Sequence, residues 1–355
     1  MVPDTTNHED QLVPVRHPQG DLFVCDVADA VLKDIMPQME HPFYSLSKKP
    51  EMSIRRYEHN GNWLEVIPSF KGLATIYDKD ILIYCISQLV EKQKDGQPLG
   101  PRVRITAREL LLFTNRGTSG RDYLALSEAL DRLAGTRIKT NIRTGDEEQI
   151  DFFGLVDATT IRRKHGLDGR LLWVDVKLSE WVMNAVKAQD VLTLHRDYFR
   201  LRKPLERRIY EIARKHCGRQ RFWKISVELL LKKCGSQSEL KRFRHMVKHV
   251  AQHDHLPDYH VDFDEQSDQV TFRSRQDWAD QLPAPDPGEL PALPTDVFEK
   301  ARAAAPGYDV YALEHAWRQW WANSGKPKLE IPAAAFLGFC ASRHKHSPQS
   351  ARIHG

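Results

Sequence analysis

One succession of sequence patterns occurs twice in this chain, about 120 residues apart. In each copy, an apolar helical stretch with an Ile-Tyr pair precedes a short strand, a leucine-rich helix, a turn at glycine and a further helix. The pair is Ile83-Tyr84 in the first copy and Ile209-Tyr210 in the second, and the turns fall at Gly117 and Gly235. A repeat over this length is typical of a duplicated domain. It therefore predicts two similar domains within one molecule.

The composition is that of an ordinary globular protein. The chain has 355 residues, 41% hydrophobic and 28% charged, enough for two compact domains and a smaller segment. No apolar run is long enough to cross a bilayer, and the first residues lack the basic-then-apolar order of a secretory signal. The five cysteines are scattered and form no C-x-x-C pair, so neither a disulfide framework nor a zinc ribbon is expected. We expect a cytoplasmic protein with no membrane segment, no bound metal and no cofactor.

Positive charge is concentrated in the second copy. The whole chain has a formal net charge of +4, but residues 196–248 contain 17 Lys and Arg against five Asp and Glu. A surplus of this size on a folded domain is expected of a surface that binds a polyanion. Because solvated lysine-rich faces are also common, the charge indicates nucleic acid only in combination with the repeated helical pattern.

Capping signals predict where the helices of both copies begin. Thr106-x-x-Glu109 and Ser119-x-x-Asp122 have the spacing of capping boxes in the first copy, and Ser236-x-x-Glu239 has it in the second. Apolar residues then recur at helical spacing within residues 123–133 and 240–250. Each copy is thus expected to contain a helix-turn-helix.

Alternating runs predict hairpins before and after these helices. The Asn60-Gly61 pair between two such runs predicts a first hairpin. We interpret residues 138–156, with residues 171–176 as a further strand, as the wing of the first copy, and residues 259–273 as the wing of the second. The expected fold is therefore α+β, with two tandem winged-helix domains (helix-turn-helix plus β-hairpin wing) followed by a small all-helical C-terminal segment.

The predicted domain organisation follows from these patterns and from a composition shift after Trp278, where prolines become frequent. The segments are a flexible N-terminal arm (1–40), winged-helix domain 1 (41–190), winged-helix domain 2 (191–280), a proline-rich linker (281–295), a small helical module (296–345) and a tail (346–355).

Cations on the second helix of each motif suit DNA recognition. An α-helix fits the major groove, where Arg and Lys can donate to guanine, and the N-terminal part of this helix meets the bases. In the second copy that part presents Lys241, Arg242 and His245, with Lys248 nearer the backbone. The candidate DNA-binding residues are Lys241, Arg242, Arg244, His245 and Lys248 in the second copy, Arg121, Ser127 and Arg132 on the helix of the first, and Arg143 and Arg273 on the two wings.

The second helices of the two helix-turn-helix motifs differ in sequence, and this difference predicts how the DNA target is arranged. If both helices lie in successive major grooves of one duplex, a monomer covers roughly twenty base pairs. Because the two copies differ in sequence, the two halves of that site should differ as well. Directly repeated sites are therefore expected for monomers, whereas a symmetric dimer requires a palindrome.

Four segments make the chain resemble the replication initiator protein A group of bacterial plasmid initiators. They are HPFYSLSK (41–48), ATIYDKDILIY (74–84), GTRIKTNI (135–142) and LERRIYEIARKHCG (205–218), within a resemblance spanning about residues 40 to 280. The resemblance implies binding to repeated origin sequences (iterons), origin opening and recruitment of host replication proteins such as the helicase or its loader. It also implies a homodimer that represses its own gene. We interpret the less closely matched C-terminal segment as a docking module for host proteins.

Enzymatic functions fit the sequence less well. Rolling-circle initiators nick DNA with a tyrosine and a metal held by a His-hydrophobic-His strand, but His253-Asp254-His255 places an acid between the histidines. Tyr259 is interpreted as a wing residue, and no phosphate-binding G-x-x-x-x-G-K-[ST] loop occurs. We therefore expect no enzymatic activity. The alternative to an initiator is a plain winged-helix transcriptional repressor, which would bind a single palindrome over a promoter.

Overall fold

The computed structural model describes residues 12–14, 16, 32–144, 152–163, 171–218, 220, 222–275, 293–294, 296–305, 308, 310–323, 329 and 331–346. The strands are β1 (Lys33–Ile35), β2 (Arg55–His59), β3 (Asn62–Ile67), β4 (Arg102–Thr106), β5 (Arg137–Thr140), β6 (Phe153–Gly154), β7 (Val156–Arg163), β8 (Leu171–Leu178), β9 (Val191–Thr193), β10 (Phe222–Ser226), β11 (Tyr259–Asp264) and β12 (Gln269–Ser274). The helices are α1 (Met36–Glu40), α2 (Lys79–Lys94), α3 (Ala107–Phe113), α4 (Gly120–Gly135), α5 (Glu180–Lys187), α6 (Pro204–His216), α7 (Val227–Cys234), α8 (Leu240–His253), α9 (Val297–Ala304), α10 (Val310–Asn323) and α11 (Pro332–His346). Residues 1–279 form one unit and residues 280–355 another, and each is described by itself.

The unit of residues 1–279 contains the same arrangement twice. In the first, α2, β4, α3, α4, β7 and β8 occur in this order, and the sheet order is β4-β8-β7. In the second, α6, β10, α7, α8, β11 and β12 occur in this order, and the sheet order is β10-β12-β11. All neighbouring strands in both sheets are antiparallel. The predicted α+β fold with two tandem winged helices is therefore confirmed.

Local sequence explains where two of the motif helices begin or end. At the start of α4, the Asp122 carboxylate accepts hydrogen bonds from the backbone N–H and the hydroxyl of Ser119, so the predicted capping box is present. Helix α7 ends at Gly235, whose φ of +65° is a left-handed conformation that favours glycine. A Cβ at this glycine would also lie 2.5 Å from the Cβ of Pro42. Gly235 is thus required both for the turn and for the close approach of the N-terminal segment.

The other two predicted capping boxes are wrong. Thr106 precedes α3, but its side chain makes no capping hydrogen bond. Helix α8 begins at Leu240, with Glu239 as the preceding residue, four residues later than predicted. The reason is that the Ser236 hydroxyl accepts the backbone N–H of Ser238, which makes Ser236 part of the connecting turn. The later start moves the α8 cations closer to the N-terminal end of their helix.

The wing of the first domain was predicted in the wrong place. Strand β5 pairs with β3 and with β6, which together with β2 make a separate four-stranded sheet in the order β2-β3-β5-β6. The hairpin that corresponds to β11–β12 is β7–β8, since β8 pairs with β4 as β12 pairs with β10. Strands β5 and β6 therefore belong to an insertion that joins the first domain to the β2–β3 hairpin predicted from Asn60-Gly61.

The flexible N-terminal arm predicted for residues 1–40 does not extend to residue 40. Strand β1 pairs with β9, and Ile35 and Met39 are fully buried. Val13 donates its backbone N–H to the carbonyl of Arg200. Residues 1–11, 15 and 17–31 of the predicted arm lie outside the described residues.

Helix α2 lies between two hydrophobic cores. Leu82 and Cys85 pack in the core of the first domain, whereas Ile83 packs in the core of the second. As a result, every residue from Lys79 to Val90 is buried. No helix in the described ranges, α2 included, is long and apolar enough to cross a membrane.

The unit of residues 280–355 contains α9, α10 and α11, which lie in the predicted small helical module (296–345), α11 ending one residue beyond it. Its core includes Val297, Trp317, Phe336 and Cys340. Trp317 is fully buried, whereas Trp320 is 51% exposed. The predicted proline-rich linker, apart from residues 293–294, and residues 347–355 of the predicted tail lie outside the described residues.

Candidate nucleic-acid interface

The exposed face of α8 carries cations at its N-terminal end. Phe243 and Val247 are fully buried against the second core, which leaves Lys241, Arg242 and His245 on the opposite, exposed face. Because α8 begins at Leu240, these three side chains occupy its first two turns. Within the described residues, none of the three takes part in an ion pair. This is the part of a helix-turn-helix that meets base edges in the major groove.

Two other predicted cations of α8 are bound to the second wing, defined here as residues 259–275. The Arg244 guanidinium donates to both carboxylate oxygens of Asp268, with Nε–Oδ1 and Nη2–Oδ2 distances of 2.6 and 2.8 Å. This hydrogen bonding lowers the pKa of Asp268. Lys248 forms an ion pair with Glu265. The structure therefore divides the α8 cations into an unpaired group and a wing-bound group.

The second wing is itself acidic. It carries four carboxylates, Asp262, Asp264, Glu265 and Asp268, against the guanidinium groups of Arg273 and Arg275. Arg273, predicted to contact DNA, pairs with Asp262 of the neighbouring strand at 2.8 Å, with both side chains more than half exposed. The sequence indicates that the acidic residues 264–268 form a loop. Their ion pairs with Arg244 and Lys248 depend on how α8 packs beside the second wing.

The corresponding helix of the first domain is less basic. Arg121 is exposed in the first turn of α4, Ser127 is half-buried, and Leu124 between them is 60% exposed. Of the sequence-predicted residues on α4, Arg121 is thus the exposed cation at the end that meets bases.

Arg132 and Arg143 do not occupy the positions predicted for them. Arg132 donates to both carboxylate oxygens of the buried Asp78 at 2.7 and 2.8 Å, and so joins α4 to the start of α2. The helical spacing of the apolar residues in α4 predicts that Arg132 faces away from the core, and its pairing with Asp78 was missed because Asp78 lies far away in sequence. Arg143 is exposed in the segment after β5, and this segment is not the wing.

A buried ionic cluster joins the two winged helices. Lys79, at the start of α2, contacts Asp34 of β1 at 2.5 Å and Glu211 of α6 at 3.0 Å, and all three side chains are fully buried. Arg208 pairs with Glu211 at 3.1 Å, and the Tyr198 hydroxyl donates to the same carboxylate. Burial raises the pKa of Asp34 to about 6 against the opposing charge of Lys79.

A second set of ion pairs runs beside this cluster. The Asp80 carboxylate of α2 accepts from Arg207 of α6 at 2.7 Å and from Arg116 of the α3–α4 turn at 2.8 Å. Arg208 also donates to the carbonyl oxygens of Met39 and Lys233, at the ends of α1 and α7. These contacts fix the α6 helix of the second domain against the α2 helix of the first, and hence the spacing of α4 and α8.

Two of the residues considered for nicking lie in buried, hydrogen-bonded positions. The Tyr259 hydroxyl is buried and donates to the carbonyl of Gly218, and burial raises its pKa. His255 is buried beside Glu206, with an Nε2–Oε1 distance of 3.1 Å. In the described part of the chain, no group of three or more His, Cys, Asp or Glu side chains is arranged to hold a metal.

Comparisons with known proteins identify one sequence family, one related protein and two similar solved structures. The sequence model of the family described as Replication initiator protein A matches residues 33–261. A protein of Wigglesworthia glossinidia brevipalpis named "Putative replication protein" is 38% identical over 252 residues, covering 70% of this chain and 91% of the relative. Among solved structures, RctB domains 2–3 are similar with a TM-score of 0.46 and 16% identity, covering 69% of this chain and 98% of that one. The Pi initiator protein, crystallised with iteron DNA, is similar with a TM-score of 0.42 and 15% identity, covering 57% of this chain and 92% of that one.

Proposed function

Because the chain belongs to the replication initiator protein A family and is a replication initiator, we propose that it binds directly repeated sequences, iterons, in a plasmid origin through both winged helices. The observation that carries the proposal is the exposed face at the start of α8, where Lys241, Arg242 and His245 form no ion pair with any described residue. Donors at this end of the helix suit base edges in the major groove. The site of action is then the bacterial cytoplasm, at the plasmid and nucleoid.

The two reading helices are unlike, and this supports direct repeats as the target. The exposed face of α8 presents three polar donors, whereas that of α4 presents Arg121 and the exposed Leu124. The buried cluster around Lys79 holds the two domains together as one reading unit. One molecule should therefore read an asymmetric site of roughly twenty base pairs.

Further steps of initiation are proposed from the resemblance to plasmid initiators. We propose that the bound protein helps to open the origin and recruits the host helicase or its loader, with α9–α11 as the docking module. We also propose that a homodimer represses the protein's own gene. We also propose that the chain has no catalytic role.

Conversion of supercoiled origin DNA to open circles by the purified protein with Mg²⁺ or Mn²⁺ would contradict the proposal that the chain is not an enzyme.

Selection of bound duplexes from a random pool tests the proposed target. We expect an asymmetric consensus of roughly twenty base pairs with two unlike halves. A palindromic consensus would support the repressor alternative, since a symmetric site requires a symmetric dimer. A consensus of about ten base pairs would show that only one winged helix reads bases, against the proposal.

A further inference from the structure

The second wing is acidic at the place where a winged helix brings its hairpin towards DNA. Its tip carries Asp264, Glu265 and Asp268. Carboxylates placed beside DNA are repelled by its phosphates. Cations on a wing or on the flank of a helix, by contrast, normally contribute the sequence-independent part of DNA affinity. The acidic tip of the second wing is therefore unexpected beside a basic recognition helix.

The carboxylates at this tip already occupy two cations of α8. Asp268 receives both donors of the Arg244 fork, at 2.6 and 2.8 Å, in the two-oxygen geometry that a phosphate group would otherwise fill. Glu265 pairs with Lys248 one helical turn further along the same face. Arg244 and Lys248 remain 40% and 42% exposed, so DNA could reach them if they were released.

A backbone hydrogen bond joins the tip of the second wing to the rest of the domain. The carbonyl oxygen of Asp268 accepts the backbone N–H of Val227, the first residue of α7. The backbone of Asp268 is thus tied to the start of α7, close to the carboxylate that binds Arg244.

We propose that Asp268 and Glu265 are positioning residues that compete with DNA phosphate for Arg244 and Lys248. By holding these two cations on the protein, the second wing limits sequence-independent binding and leaves recognition to Lys241, Arg242 and His245. The inference rests on the proposed function, because it concerns how the same reading helix binds DNA.

Neutralising Asp268 is the direct test. The probe is a 40-base-pair mixed-sequence duplex unrelated to any origin, and the measured quantity is the slope of log affinity against log salt concentration. In Asp268→Asn, Arg244 becomes available to a phosphate, so the slope should steepen by about one. Asp268→Asn combined with Glu265→Gln should steepen it by about two, which makes the loss of affinity between 50 and 200 mM salt roughly tenfold larger than in the wild type. Asn suits position 268 because the backbone φ there is +52°.

Asp264→Asn is the matched control. Asp264 lies on the same tip and accepts from the Gln266 backbone N–H and the Ser267 hydroxyl, but forms no ion pair with a described cation. The substitution removes the same charge without breaking an ion pair between described residues, so it should leave the slope within a few tenths of the wild-type value. A slope as steep as that of Asp268→Asn would show that general repulsion, not pairing, is responsible, and would overturn the inference.

Arg244→Met completes a double-mutant cycle with Asp268→Asn. If Arg244 is held on the wing, Arg244→Met alone leaves the slope unchanged, and Arg244→Met with Asp268→Asn cancels the steepening. A shallower slope for Arg244→Met alone would show that the ion pair opens when DNA binds, against the inference. Wild-type protein that binds no duplex with sequence preference would contradict the proposed function itself. An unaltered slope in Asp268→Asn, with specific binding intact, would contradict only the inference.

Discussion

Cations of the same type on α8 differ in what they already contact. Lys241 and Arg242 are exposed and form no ion pair with a described residue. Arg244 and Lys248 must first give up a carboxylate of the second wing. The sequence places all four on one helix and predicts DNA contacts for each, but it does not show which of them pair with the wing, since the wing carboxylates lie about twenty residues later. Their different roles depend on tertiary pairing.

Replacing Lys241 and Arg242 by Gln and His245 by Ala in one variant should abolish specific binding. Each good base contact contributes about 1–3 kcal/mol of discrimination, so the combined loss should be at least about 100-fold. The measurement is a competition binding assay against unrelated duplex, with circular dichroism to confirm the fold. Lys187→Gln, which removes one exposed lysine from α5, serves as the control and should bind normally. Retained sequence preference in the triple variant would show that another helix reads the bases.

Arg132→Met tests the reassignment of this residue from DNA contact to structural contact. Asp78 would stay buried without its guanidinium partner, which should lower the free energy of unfolding by about 2 kcal/mol. Urea denaturation measures this loss, and Asp78→Asn with Arg132→Met should recover part of it. If Arg132 instead contacted phosphate, the variant would keep its stability and the salt slope of DNA binding would become shallower by about one.

Helices could be predicted from local sequence more fully than strand pairings. The apolar spacing and the Ser119 capping box of α4 lie within one short segment, and that helix is present where it was predicted. The runs at 138–156 and 156–178 alternate in the same way, so only their distant partners, β3 and β4, distinguish insertion from wing. The role of the segment around Lys33–Glu40 was missed for the same reason, because its partners lie in β9, α2 and α6.

The junction of β1, α2 and α6 gives a pH prediction. The pKa of Asp34 is raised from 3.8 to about 6 by burial, so the folded state binds a proton that the unfolded state releases near pH 4. The stabilisation is complete below the unfolded pKa and is lost as pH rises through about 6. Asp34→Asn lacks this titration, so its stability relative to wild type should rise between pH 4 and 7 in denaturation curves. A stability difference that stays constant or falls over that range would show that Lys79 keeps Asp34 ionised.

At the scale of the whole molecule, DNA reading and the C-terminal helices belong to different units. Residues 1–279 contain both winged helices and the buried cluster between them, whereas α9–α11 have a core of their own around Trp317 and Phe336. A chain ending at residue 279 should therefore fold and bind DNA with unchanged affinity and salt slope. If α9–α11 are the proposed docking module, it should fail to replicate a plasmid in cells. Normal replication by the shortened chain would remove that role.

Nuclease protection measures whether one molecule binds direct repeats through two unlike winged helices. Purified protein would be bound at physiological salt to supercoiled DNA that flanks its own gene. Several evenly spaced protected sites of roughly twenty base pairs, all in the same direction, are the predicted result. A single symmetric site over the promoter, or sites of only about ten base pairs, would contradict the account.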